Sequence, residues 1–124
     1  MNGNSYLLDT NTILYVLQGN RQIAEMINEK DLFVSFITEL ELLGYKNIAE
    51  NDRIKIENFL SECTIVDINP IIKANTIEIR RKYGVKLPDA IVAGTALFLE
   101  IPLITADKGF NKMEEIRLIL AEIQ

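Results

Sequence analysis

The sequence predicts an α/β fold in which a parallel sheet is covered by helices on both faces. Two observations carry this. Short apolar segments alternate with helix-length segments along the whole chain, and the strand candidates are continuous apolar runs rather than in–out alternations. A third is length: 124 residues suit one domain, read here as spanning 1–124, with enough chain to bury a real core.

In order, Ser5–Leu8 is expected as a buried strand ending at Asp9. Thr10–Leu17 is expected as a helix stopped near Gly19, and 21–29 as a second short helix. Leu32–Phe36, rich in aromatic and β-branched residues, reads as a strand, followed by helices over 37–49 and 52–61. Residues 64–68 make a third strand, and Pro70 opens a helix to Lys82 that Gly84 breaks. Pro88 starts a helix to Leu99, Leu103–Thr105 is a fourth strand, and 117–121 suits a last strand or a helix. Ile23, Met26 and Ile27 on the second helix are read as exposed apolar side chains, candidates for an interface.

Composition narrows the chemistry. The apolar and charged fractions, 48% and 25%, are those of a globular protein. No apolar run approaches the roughly 18 residues that span a bilayer. The N-terminus lacks a signal-peptide pattern, so a reducing, cytoplasmic setting is expected. With no histidine and one cysteine, Ser-His-Asp triads, histidine bases and thiolate or histidine zinc sites are excluded. Carboxylates remain, and they suit hard cations such as Mg2+ or Mn2+. The net charge of −5 argues against a broad basic footprint for nucleic acid, an objection that weakens if several acids are neutralised by metal.

Four acids stand out. Asp9 and Asp107 each follow a predicted strand, and parallel strands bring such ends together where ligands bind. Asp9 also suits a helix N-cap, and Asp107 also suits a turn in Ala-Asp-Lys-Gly. Asp89 opens a helix that is apolar almost all round, where the helix dipole alone would favour an acid. Glu39 and Glu41 lie about 200° apart on a helix. Glu41 falls on a stripe with Ile37, Leu40, Gly44 and Ile48, whereas Glu39 falls with Lys46 and Glu50 on the opposite face, so Glu41 is expected to be the inward acid. Carboxylates about 5 Å apart repel by about 3 kcal/mol at an effective dielectric of about 20, so a convergent set calls for a cation.

The segments YLLDTN (6–11), VSFITELELLG (34–44), LPDAIVAGTAL (87–97) and PLITADKGF (102–110) together resemble the PIN-domain family, and within it the VapC-type toxin ribonucleases. The resemblance covers essentially the whole chain. It implies a three-layer α/β/α sandwich with a short, mostly parallel sheet. It further implies Asp9, Glu41, Asp89 and Asp107 as Mg2+ or Mn2+ ligands, with Asn11 orienting ligands and Thr105 supporting Asp107. An RNA substrate, a homodimer and an antitoxin that covers the site are implied as well, and the base's work falls to the metal. Lys86, Lys108 and Lys112 are candidate substrate contacts, while Arg80, Arg81 and Lys82 are expected as solvated helix charges. Two competitors are a catalytically silent PIN-fold scaffold and a phospho-acceptor receiver domain, the latter needing an acidic pair after the first strand, a phosphorylatable Asp after the third, where Asp67 falls, and a Lys after the fifth.

Overall fold

The computed structural model describes residues 3–123. Five strands, β1 (Ser5–Leu8), β2 (Asp31–Ser35), β3 (Thr64–Val66), β4 (Leu103–Thr105) and β5 (Leu118–Leu120), form one sheet in the order β3-β2-β1-β4-β5. Every pairing is parallel, so the sheet is wholly rather than mostly parallel. Six helices connect or follow the strands: α1 (Thr10–Leu17), α2 (Arg21–Ile27), α3 (Phe36–Leu43), α4 (Glu50–Ser61), α5 (Pro70–Tyr83) and α6 (Leu87–Leu99), with a short 3-10 helix at Lys108–Lys112.

The pleat divides the core into two layers. Leu7 and Leu103, register partners, face Ile79 of α5, Ala93 of α6 and Phe110. Leu8, Val34 and Ile104 face Ile13, Ile23, Leu42 and Ile56 on α1–α4. Strands flanked on both faces by apolar helices must be apolar at successive positions, which is why they lack alternation.

Several element ends differ from the sequence reading. Phe36 begins α3 rather than ending β2, because the buried Ser35 hydroxyl caps it by accepting from Ile37 N–H. α3 stops at Leu43 with Gly44 as its C-cap, so residues 45–49 leave the helix. Asp67 and Ile68 lie beyond β3, where Asp67 accepts from the Ile68 N–H. The 117–121 segment is strand, not helix. Ile23 and Ile27 are buried core residues, and Met26 packs against that core. These apolar residues of α2 therefore present no exposed interface, because positions 23, 26 and 27 share one helix face and that face is turned to the core. Asp67 is exposed past the sheet's edge strand, two strands from β1, which removes the receiver-type arrangement.

α6 is buried at every position from Ala90 to Ala96, and it lies tightly on α5. A Cβ added at Gly94 would stand 2.8 Å from Thr76 Oγ1 and 3.2 Å from Thr76 N, while Asn75 Nδ2 donates to Gly94 O. Gly94→Ala is expected to destabilise by about 1–3 kcal/mol through forced separation of the two helices. Thermal melting should show a drop of several degrees, while Gly3→Ala, with nothing within 4 Å of its added Cβ, should leave the midpoint unchanged. Equal midpoints for both variants would refute this account.

Candidate metal centre

The strand order reverses direction at β1: the chain runs outward through β2 and β3, then returns to the other side of β1 as β4. In such sheets the crevice beyond the strand C-termini opens at this switch point. Asp9 immediately follows β1, and Thr105 ends β4 with Asp107 two residues on.

Asp9 is buried and closely held. It caps α1, with Oδ1 accepting from the Thr12 N–H at 3.0 Å and from the Thr12 hydroxyl, which also reaches Ile104 O at 3.0 Å. Oδ2 accepts from the Thr105 hydroxyl. Thr105 Oγ1 in turn accepts from the Asp107 N–H at 3.0 Å, so one threonine joins the segments after β1 and β4. Asp107 is itself exposed and caps the 3-10 helix through Gly109 N–H at 2.8 Å. The N-cap reading of Asp9 and the turn reading of Asp107 are therefore both present in the structure, alongside their convergence.

Glu41 reaches the same crevice by another route than its stripe. The buried face of α3 is Thr38 and Leu42; Leu40 is 58% exposed, Glu41 is exposed, and Ile48 is not on the helix. The early stop at Gly44 leaves too few turns for the five-residue stripe. Glu41 instead stands at the edge of the buried face, where Oε1 accepts from the Thr10 hydroxyl at 2.6 Å. Glu39 is only partly exposed, so it too departs from the fully solvated face expected for it.

Asp89, in the first turn of α6, is partly buried. Burial raises its carboxyl above the ordinary range, and the charges of Asp107, Asp9 and Glu41 raise it further against the opposing pull of Lys86. The four acids thus act on one another electrostatically. As the side chains stand, no three acids close on a common point among the described residues. Asp9 and Glu41 are turned onto threonine hydroxyls instead. The donor chemistry fits a hard divalent cation: oxygen throughout, with no nitrogen or sulfur side chain to compete.

Thr10 and Thr12 are the site residues that sequence reading passed over. Their signal was the Thr-x-Thr after Asp9, which puts hydroxyls on either side of an N-cap carboxylate. Asn11, expected to orient ligands, is exposed and makes no side-chain hydrogen bond among the described residues. Lys86 and Lys112 border a cavity of about 300 Å3 that also touches Asp89, Asp107, Val85 and Phe110. Lys108 borders a second cavity, about 510 Å3, with Tyr15 and Ile123. Arg80 and Arg81 are exposed, as expected; Lys82 is also exposed and pairs with Glu115.

Residues 6–116 match the PIN domain. The chain belongs to the PIN domain family. Its fold recurs in solved structures. A chain of VapBC2 from Rickettsia felis, bound to a DNA fragment from its promoter, superposes with a TM-score of 0.85 at 19% identity, covering 95% of this chain and 99% of that one. A toxin–antitoxin complex from Klebsiella pneumoniae gives 0.81 at 27% identity, with the same coverage. VapBC-1 from nontypeable Haemophilus influenzae gives 0.78 at 27% identity, covering 94% and 97%. These neighbours accord with a PIN domain of the VapC type. Comparison with curated protein sequences gives no match.

The raised Asp89 carboxyl has a linkage consequence. A carboxyl raised on folding contributes stability that is present below its unfolded value and is lost as pH rises through the folded value. Metal-free Asp89→Asn should therefore melt higher than the parent at pH 7–8. The difference should close as pH falls to the ordinary carboxylate range, about pH 4. Melting curves across pH in EDTA check this, and a lower midpoint for the variant at pH 8 would contradict it.

Proposed function

We propose that this PIN domain is a Mg2+- or Mn2+-dependent endoribonuclease, acting as the toxin of a toxin–antitoxin pair. What supports the reading is that Asp9 and Asp107 follow the neighbouring parallel strands β1 and β4 and are joined through Thr105, with Glu41 bonded to Thr10 beside Asp9 and Asp89 within electrostatic reach, in a chain that matches the PIN domain. Asp9 and Asp89 are the principal ligands, with Glu41 and Asp107 completing the set. When bound, the cation supplies an activated water and charge stabilisation for in-line phosphodiester hydrolysis.

The chain's own residues do the rest. Thr12 and Thr105 hold both Asp9 oxygens in place, so its orientation is set before any ligand arrives. Thr10 restrains Glu41 across the crevice. Lys86 and Lys112 flank the two exposed-side acids and offer positive charge to the phosphates on either side of the scissile one. This local arrangement allows RNA to bind although the chain as a whole is acidic. With no histidine to serve as base, proton removal depends on the loaded acid set.

The chains that it resembles come from complexes described as VapBC or toxin–antitoxin, which supports an antitoxin as partner here. A homodimer and a cytoplasmic setting belong to the same reading. Among the described residues no helix is long and apolar enough to cross a membrane.

Purified protein should cleave RNA in Mg2+ or Mn2+ and stop in EDTA. Asp9→Asn and Asp89→Asn should each reduce cleavage by about 100-fold or more, the scale seen when a preorganised charge-stabilising group is removed. Cleavage surviving in the double variant would overturn the proposal. Replacing Lys86 and Lys112 together by Ala should raise KM with little change in kcat. It should also flatten the salt dependence of single-strand binding by about 0.7 per lost phosphate contact in log–log slope. An unchanged slope would remove these lysines from the substrate path.

A further inference from the structure

Four threonines are buried within helices; Thr12 is held by Asp9 and Ile104 O, and one of the other three behaves differently. Thr76 Oγ1 donates to Ile72 O and Thr95 Oγ1 donates to Ile91 O, each at 2.7 Å, the usual bond to the carbonyl one turn earlier. Thr38 is completely buried, yet its hydroxyl has no hydrogen-bond partner; among the described residues no other buried side-chain nitrogen or oxygen is left so. The cause is its position. Thr38 is the third residue of α3, and the residue four back is Val34, which lies in β2 between its neighbours β1 and β3. A buried hydroxyl without a partner costs about 1–3 kcal/mol, and valine, of nearly the same shape, would avoid that cost.

Thr38 belongs to the helix that carries Glu41 to Thr10. Val34 pairs with Leu8, so the chain leaves β1 at Asp9 and β2 at Ser35 side by side. Thr38 follows in the first turn of α3, with Glu41 three residues on, a spacing that makes helix neighbours. α3 packs on both α1 and α6, whose first turns carry Thr10–Thr12 and Asp89. We propose that Thr38 is a positioning residue of this crevice, whose hydroxyl donates to a water oxygen that the folded chain does not supply, and that this contact fixes Asp9 and Glu41 relative to each other when a cation is bound. The water is either a structural one or one belonging to the cation's hydration shell. The inference rests on reading the crevice as a cation site.

The test uses the full chain and Mg2+ alone, by calorimetric titration and by melting with and without EDTA. Thr38→Val should melt at or above the parent in EDTA, since it removes an unmet hydroxyl. It should bind Mg2+ about 10-fold or more weakly, the range typical of residues that orient metal ligands. Thr38→Ser should restore binding. A merely structural role moves the EDTA midpoint and leaves Mg2+ affinity alone, so parent-like affinity in Thr38→Val overturns the proposal. If the valine variant does not fold, Thr38→Ala is titrated in its place under the same criterion. Crystals grown with and without Mg2+ separate the two sources: water on Thr38 Oγ1 in both is structural, and water in the Mg2+ form alone belongs to the cation. No ordered water in either overturns the proposal. If the parent neither binds Mg2+ or Mn2+ nor cleaves RNA, the cation-site reading fails and takes this inference with it. If the parent does both and Thr38→Val matches it, only the role of Thr38 falls.

Discussion

The contact on which the site depends is the Thr105 hydroxyl between two strand ends. It donates to Asp9 after β1 while accepting from the backbone of Asp107 after β4. It can do so because β1 and β4 run parallel and in register, Leu7 with Leu103 and Leu8 with Ile104, so their C-termini finish at the same level. An antiparallel neighbour would place a strand N-terminus there and leave Asp9 without that partner. The register is itself held by burial: a slip of one residue would turn Leu7 and Leu8 to the wrong layers.

That geometry creates an electrostatic problem that the fold answers only in part. Asp9, Glu41, Asp89 and Asp107 share a crevice in a chain that already carries a net charge of −5. Threonine hydroxyls satisfy Asp9 and Glu41 without neutralising them, because a hydroxyl donates a hydrogen bond but brings no charge. Lys86 offsets Asp89 weakly from an exposed position. Burial first, and then the charges of Asp107, Asp9 and Glu41, raise the Asp89 carboxyl above the ordinary range. Under the proposed function a divalent cation supplies the charge that such an arrangement lacks.

The positions of three lysines follow from the same layout. Lys86 and Lys112 come from the segments just before α6 and at the end of the 3-10 helix, on one side of Asp107, and Lys108 lies on its other side. An acidic protein can present locally positive walls when its lysines border the acid cluster and stay exposed. A separate hollow lined by Leu14, Leu17, Tyr45 and Ile56 belongs to the α1–α4 side and touches none of the four acids.

Much of this was legible in the sequence. Continuous apolar strands, Gly84 and Pro70 at helix ends, and an α6 apolar all round specified layers and element types, because these patterns depend on local period and burial alone. The absence of histidine ruled out histidine bases and histidine-ligated metal sites. The places of Asp9 and Asp107 after strands and of Asp89 at a helix start could be read because strand ends and helix starts are local features. Glu41 was expected as the inward acid on a stripe that does not exist, since Gly44 ends α3 before Ile48; it is exposed and meets Thr10, while Glu39 is the less exposed of the two. Whether Ile23 and Ile27 faced solvent, and which threonine would reach which acid, only the tertiary structure decided. Those contacts join residues as distant as Asp9 and Thr105, and their pairing depends on strand order, which local sequence patterns do not encode.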